Sequence, residues 1–367
     1  MNIQILQENL LRAVLRAGRI VPSKPQLPII QNILLTTEGG RLKVTATNLE
    51  TTETVFVGAK VISEGGICIP SRLISEYVSS LPQSTVELSV QEGSLLIECA
   101  GYKATIPGIS SSEYPQVAQQ KENTMIEIQK ELLIQNLNRV VFSAATDEGR
   151  PVLTGIRIAE KGTELIFAAT DGYRLSVKKQ NTESIHGLDL LVPAKAIIEV
   201  LKIAAEEKEV AVVQLSKQKD NQLLFVIGDT EIRTRLIDGD YPNYERIIPT
   251  KYNTRVVFER EILQKAVKSA SIFARDSANI IKLDIHEQSV TVSANTPQLG
   301  EDQIIIDAHV DGEGGEMAFN SRFLLEFLAN VQEDTLVFEM TGSLNSGVFR
   351  LPKDDSYLHI IMPVRVS

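Results

Sequence analysis

The chain has 367 residues, 43% hydrophobic and 23% charged, with a formal net charge of −10. That composition suits a soluble globular protein of two or three domains, and its acidity argues against nucleic-acid binding unless the charges are segregated. No run of about eighteen apolar residues marks a membrane span, and the first residues, MNIQILQENLLRAVLRAG, do not read as a signal peptide. Cys68 and Cys99 are too few and too far apart for a zinc motif or a disulfide framework, so a reducing cytoplasm is the expected setting.

A helix is expected over 7–20, with Leu10, Leu11, Val14, Gly18 and Val21 on one side and Arg12, Arg16 and Arg19 stacked on the other. The turn Glu38-Gly39-Gly40 precedes a strand-like RLKVTATNL. A second helix begins in PSRLISE (70–76), where Pro70 pre-sets the start, and TVELSV closes the set. The same order then returns: a helix over 130–145, ELIFAATDG, PAKAIIE (193–199) and EVAVVQL. It returns once more as a helix over 259–274, SVTVSANT, NSRFLLE (320–326) and TLVFEM. In this last copy Asn320 is a natural helix cap.

The phrase opening the second helix recurs at offsets of 123 and 127 residues. A second phrase, Gln7-Glu8-Asn9-Leu10-Leu11, returns as Gln129-Lys130-Glu131-Leu132-Leu133 and Glu259-Arg260-Glu261-Ile262-Leu263. Two phrases agreeing on a period of about 120–130 residues exceed the short solenoid repeats, and a unit that long can hold its own core. The reading is three tandem α+β domains, 1–121, 122–245 and 246–367, each with two helices on antiparallel sheets.

The helices carry cations at recurring places. Arg72, Lys195 and Arg322 occupy one position of the repeated phrase, each four residues before a glutamate (76, 199, 326), a spacing that also suits simple surface pairs. Lys202, Lys265 and Lys268 add to them, and in the middle copy Arg139 stands alone. Residues 1–121 balance 10 basic against 10 acidic, whereas the other two thirds hold 15 against 20 and 12 against 17. Cations on helices and anions on strands and loops would let an acidic protein present a basic face.

Four phrases lie in order on this triple repeat: Leu27-Pro28-Ile29-Ile30, Thr170-Asp171-Gly172-Tyr173-Arg174-Leu175, Leu236 to Tyr244 (LIDGDYPNY) and Met362-Pro363-Val364-Arg365. Together they resemble the bacterial sliding-clamp family, the β subunits of DNA polymerase III, from Met1 to Ser367. The resemblance implies a head-to-tail homodimer, a ring of six similar domains whose twelve helices line a hole for double-stranded DNA. It implies that the ring holds the replicative polymerase on DNA without reading sequence. The candidate DNA contacts are Arg12, Arg16, Arg19, Lys24, Arg72, Arg139, Arg150, Lys195, Lys202, Lys265 and Lys268, aimed at the phosphate backbone.

In the family, the replicative polymerase, the clamp loader, repair polymerases and mismatch-repair proteins insert QLxLF-type peptides between the second and third domains. The matching positions here are Leu153, Thr170, Gly172, Tyr173, Arg174, Leu175, Pro242, Arg246, Ile247, Asn320, Phe323, Leu344, Ser346, Met362, Pro363, Val364 and Arg365. Ala278 stands where some relatives have a larger side chain. Val364 and Val366 replace longer ones, and Ser367 extends the tail. The dimer contact would use Ile106, Ile272 and Phe273, with helical periodicity assigning Phe273 to its own core.

Nothing in the sequence points to catalysis, a cofactor or a metal. His186, His286, His309 and His359 are scattered, and no GxxxxGK[ST] loop or GxSxG elbow is present. The alternative to a clamp is a homodimeric protein-binding adaptor that never meets DNA, which would have no use for a basic helix face.

Overall fold

The computed structural model describes residues 1–115, 125–182, 187–297 and 300–365. The junction expected at 121, His186, Val366 and Ser367 lie outside these residues. Two compact bodies are formed, residues 1–131 with 199–236, and residues 132–198 with 237–367.

Six helices appear where the repeated phrases place them: α1 (Gln7–Gly18), α2 (Ser71–Ser80), α3 (Lys130–Asn138), α4 (Ala194–Glu206), α5 (Arg260–Phe273) and α6 (Ser321–Asn330). The first helix of each repeat begins in the same way. Its leading N–H donates to a backbone carbonyl across the sheet: Gln7 to Ser84 (3.0 Å), Lys130 to Ala211 (2.9 Å) and Arg260 to Asp334 (2.8 Å). A helix's first N–H groups have no partner of their own, so this bond stands in for a side-chain cap. Asn320 does cap α6, its side chain accepting from the Arg322 N–H at 3.0 Å.

α3 is shorter than the expected 130–145. It stops at Asn138, and one 3₁₀ turn, Val141–Ser143, follows. Asn136, Asn138 and the β-branched pair Val140-Val141 are weak helix formers, so nothing local carries the helix further.

α1 and α5 bury one stripe each. In the first repeat Leu10, Ala13, Val14 and Ala17 pack with Ile74 and Val78 of α2 against Ile33, Leu35, Leu42 and Val44 of the sheet. The third repeat has Leu263, Ala266, Val267 and Ala270 in the same places, against Leu324, Phe327 and Leu328. Each fully buried Leu or Val of such a stripe contributes about 1.5–3 kcal/mol. α1 and α2 meet closely at Gly18, where an added Cβ would stand 3.1 Å from Ser71 Oγ. Cys68 and Cys99 are buried and free.

The sheets run across the repeats. In one nine-stranded sheet, strand Thr51–Gly58 of the first repeat pairs antiparallel with Thr230–Arg235 of the second. In another, Arg174–Asn181 of the second repeat pairs with Asp354–Ile361 of the third. The equivalent strands left over are edges. Tyr102–Pro107 ends a five-stranded sheet of the first repeat, and Gly300–Asp307 ends a four-stranded sheet of the third.

Candidate functional site

The phrase Thr170–Leu175 folds as a side-chain-tied turn at the end of a hairpin. Thr170 Oγ1 accepts from the Gly172 N–H (3.0 Å) and donates to the Arg174 carbonyl (2.5 Å). Asp171 Oδ1 accepts from the N–H groups of Tyr173 (2.8 Å) and Arg174 (3.0 Å). Threonine and aspartate suit this task because their short side chains reach backbone donors two and three residues on. Gly172 takes a φ of +93°, which a side chain would resist. The result pushes Tyr173 outward, 60% exposed, while Arg174 turns in.

Beside that turn lies a cavity of about 210 Å³, lined by Arg150, Leu153, Thr170, Gly172, Tyr173, Arg174, Pro242, Asn243, Tyr244, Ile247, Ile360 and Met362. Its floor continues a small apolar cluster of Ile166, Ala168, Leu175, Val177, Tyr244, Val348 and Ile360. Arg174 is buried as a strut. Its guanidinium binds Asp171 Oδ2 (3.0 Å), Glu326 Oε2 (2.5 Å) and the Phe142 carbonyl (2.6 Å). His359 lies beneath, stacked on Phe327 at 4.7 Å and with Nδ1 2.7 Å from Ser176 Oγ. Burial, reinforced by nearby Arg174, holds its pKa well below the usual histidine value, so it is neutral at pH 7.

Of the expected pocket residues, Leu153, Thr170, Gly172, Tyr173, Arg174, Pro242, Ile247 and Met362 line this cavity. Leu175 lies in the cluster beneath the floor. Phe323 flanks it, stacked on Tyr173 with ring centres 6.4 Å apart. Ser346 donates to Met362 Sδ (3.2 Å), and the chain end is pinned by Met362 N–H to the Tyr173 carbonyl and Val364 N–H to the Ala318 carbonyl, both 2.8 Å. Leu344 stands 64% exposed outside the lining. Arg246, Pro363, Val364 and Arg365 do not line it either, and Asn320 is occupied as the α6 cap. Ala278 is exposed in a turn with φ +54°, also outside the lining.

Arg150, expected as a DNA contact, lies at the cavity rim, with its guanidinium 3.4 Å from where a Cβ on Gly172 would stand. Sequence reasoning misses Tyr244 and Ile360 as lining residues, although the alternation in SYLHII already marks Leu358 and Ile360 as one face.

A larger cavity of about 430 Å³ lies on the first two repeats. The two hairpins close equivalently, Thr47 opposite Thr52 and Thr170 opposite Leu175, so their sheet positions correspond. Where the smaller cavity's sheet presents Ile166, Ala168, Val177, Leu358 and Ile360, this one presents Lys43, Thr45, Thr54, Glu231 and Arg233. It has the volume but lacks an apolar floor for Leu or Phe anchors.

The helix-face cations divide. Arg12, Lys24, Arg72, Lys195, Lys202, Lys265 and Lys268 are exposed. Several hold exposed carboxylates: Arg72 with Glu76 (2.7 Å), Lys195 with Glu148 (3.0 Å) and Lys265 with Glu261 (3.1 Å), whereas Lys202 holds the buried Glu199 (2.6 Å). Such surface pairs are screened by water and salt and yield readily to a competing phosphate.

Arg16 and Arg139 overturn the expectation. Arg16 is 4% exposed, bonded to Glu206 (2.9 Å), Glu207 (2.7 Å) and Thr230 Oγ1 (2.9 Å). Arg139 is 8% exposed and grips Glu333 with both terminal nitrogens at 2.8 and 2.6 Å. Burial raises the Glu333 pKa, but the Arg139 bonds outweigh it and hold that carboxyl below its ordinary value. At about 100° per residue, Arg16 sits some 40–60° round the helix from Arg12 and Arg19, and that rotation turns it to the neighbouring repeat. Arg19 falls between the two groups, its side chain part-exposed and bridged to Glu199 (3.1 Å) and Glu206 (2.5 Å).

Glu53 lies fully buried among these groups, and neither carboxylate oxygen has a hydrogen-bond partner. Burial pushes its pKa up to about 8, against the pull of Arg19.

Of the expected dimer residues, Ile272 is 50% exposed and Phe273 is partly buried on its own core. Ile106 is a correction: it is buried within the first repeat's core, because it shares the inward face of the strand pair with Leu95.

The family models of the DNA polymerase III β subunit match in order: the N-terminal domain over 1–118, the central domain over 127–243 and the C-terminal domain over 245–365. The β sliding clamp of Bacillus subtilis is 27% identical over 379 residues, spanning all of both chains. That of Staphylococcus aureus is 27% identical over 95% of this chain and 94% of its own. Solved clamp structures from Bacillus subtilis (26% identical) and from Bartonella birtlesii bound to griselimycin (25% identical) superpose with TM-scores of 0.94 over the full length of both chains. With all three domain models matching in order and full-length relatives of one kind, the chain belongs to the DNA polymerase III β-subunit family, the bacterial sliding clamps.

Proposed function

We propose that two copies of this chain close head to tail around duplex DNA, and that replication and repair proteins attach through short apolar peptides seated beside Tyr173. The observation that carries the reading is the pair of unfilled edges. Inside the chain, successive repeats join by one strand pair, Thr51–Gly58 with Thr230–Arg235 and Arg174–Asn181 with Asp354–Ile361. The third repeat's equivalent, Gly300–Asp307, and the first repeat's, Tyr102–Pro107, stand open. One strand pair of the same kind, made twice between two copies, fills every such edge.

The register carries over. Val55 faces Thr230 inside the chain, and the equivalent of that pair is Ile304 with Tyr102 of the partner subunit. Ile272 supports the arrangement. Twelve residues into α1 stands Arg19, which reaches Glu206 of the next repeat, and at that place in the second repeat Phe142 packs on the third repeat's core. Ile272 holds that position in the third repeat and is uncovered.

DNA would be held by topology, with Arg12, Arg72, Lys265 and Lys268 offering sequence-blind phosphate contacts weak enough to slide. The peptide cavity's apolar floor fits Leu and Phe anchors, and Arg150, Tyr173 and Met362 form its adaptable rim.

The test is retention on a nicked circle loaded with a bacterial clamp loader and ATP. Protein that survives a high-salt wash and leaves only after one restriction cut is topologically held. Protein that washes off the intact circle is bound by charge alone, which defeats the reading. The DNA-independent adaptor would not load at all.

A further inference from the structure

Each seam between successive repeats inside the chain is closed by a buried arginine at one fixed count from a helix start. Counted from the first residue of α1, α3 and α5, the tenth is Arg16, Arg139 and Ser269. Arg16 reaches carboxylates at the end of the next repeat's second helix, Glu206 and Glu207, and touches Thr230 of the joining strand. Arg139 reaches Glu333, just beyond α6, and lies 5.5 Å from the ring centre of Tyr357 on the joining strand. Thr230 and Tyr357 occupy equivalent places, facing Val55 and Lys178.

At the third seam both halves of this clamp are missing. Ser269 stands in the arginine's place and donates instead to Asp302 Oδ2 of the open edge strand, at 2.9 Å. The glutamate's place is also identifiable. Glu333 precedes Asp334, whose carbonyl accepts from the head of α5, and Gln83 precedes Ser84, whose carbonyl accepts from the head of α1. The clamp's aromatic neighbour is still present: Tyr102, equivalent to Tyr357, is exposed on the open strand.

We propose that Ser269 and Gln83 are the positions that set how tightly two copies of this chain hold each other, the buried clamp of the internal seams being omitted from the seam between protomers. This inference rests on the head-to-tail reading. The internal seams need never part once folded, so a buried arginine holding carboxylates with several bonds suits them. A ring that must admit DNA needs one seam of another kind. Neutral Ser and Gln can be wetted when the seam parts, whereas a bared Arg–Glu pair in a packed seam would be costly to separate and slow to re-form.

The test is a double-mutant cycle on subunit exchange, using full-length protein labelled for energy transfer, with Ser269→Arg, Gln83→Glu and the pair together. The pair should lower the dimer dissociation constant and slow exchange tenfold or more. Each single variant should change either by threefold or less, and thermal unfolding of the protomer should be unaltered. A double variant no tighter than the better single variant overturns the inference while leaving the ring intact. Wild-type protein that stays monomeric at micromolar concentration overturns the head-to-tail reading itself. If the arginine variant misfolds, Ser269→Lys with Gln83→Glu is read in the same way, with at least a threefold gain expected.

Discussion

The guanidinium carbon of Arg174 lies 4.6 Å from the centre of the Phe323 ring and 5.7 Å from that of Phe142. Arg174 thereby ties the Thr170–Leu175 turn to α6 through Glu326 and to the turn after α3 through the Phe142 carbonyl. It supports the pocket from behind. Arg174→Ala would leave Asp171 without its guanidinium, in a site where breaking a buried pair costs about 3–5 kcal/mol. Arg174→Ala is therefore expected to weaken an LF-type peptide at least tenfold and to lower the thermal midpoint. Tyr173→Ala, at an exposed position, should weaken the peptide with little change in midpoint. Calorimetric titration beside thermal scans separates the two, and equal midpoints for both variants would count against the strut.

How far the sequence can be read depends on how local each signal is. The triple repeat and all six helix starts are legible because each phrase carries its own stripe and turn. The Thr170–Leu175 turn is legible for the same reason, its bonds spanning at most four residues. Arg16 and Arg139 are misread because a wheel drawn for one helix cannot see carboxylates some 190 residues away. Leu344, expected in the pocket, stands apart, since distance across a groove leaves no periodic mark. Glu53 is only half legible: alternation in TTETVFV puts it on the face of Val55 and Val57, but nothing local shows Arg16, Arg19 and Glu199 gathered there.

The exposed and buried arginines should separate in solution. Neutralising Arg12, Arg72, Lys265 and Lys268 to glutamine removes cations from exposed faces and should leave stability within about 0.5 kcal/mol. The slope of log binding against log salt should fall by about 0.9 for each phosphate that no longer meets a cation. Arg16→Gln should do the reverse, costing about 1–3 kcal/mol of stability by taking its bonds from Glu207 and Thr230, with the salt slope unaltered. Salt titrations of fluorescent duplex binding, beside urea unfolding, supply both numbers. An unchanged slope in the fourfold variant would remove those residues from the DNA face.

Glu53 predicts a pH dependence of definite sign. Its folded pKa, near 8, lies above the ordinary value of 4.5, because burial opposes its charge more than Arg19 favours it. Below about pH 4.5 both states hold the proton and this site sets no gradient. As pH rises through the window from 4.5 to 8, the unfolded chain releases the proton first, and the site's contribution to stability drains away. Glu53→Gln keeps a neutral head of the same shape. It should raise the midpoint most at pH 8.5 and scarcely at pH 4.5, where wild type is itself protonated. A midpoint gain that is flat across this range would mean that Glu53 does not titrate there.

Ile272 and Ile106, both expected at the dimer contact, separate by burial, Ile106 lying in the first repeat's core. Ile272 is half exposed at the end of α5, and Ile305 is 67% exposed on the open edge strand. An aspartate at 272 costs little in an isolated protomer, but in a packed seam it must shed its water without a partner. Ile272→Asp is therefore expected to raise the dimer dissociation constant a hundredfold or more, with the protomer's unfolding midpoint kept within a few degrees. Ile106→Ala acts elsewhere: it opens a void beside Leu95 and Ile97 and should cost about 2–5 kcal/mol of folding stability, with dimerisation weakened only as folding fails. Sedimentation equilibrium and thermal scans on both variants decide the matter. A stable Ile272→Asp dimer would place the seam elsewhere, because a seam packed on that side chain could not hold an unpartnered carboxylate.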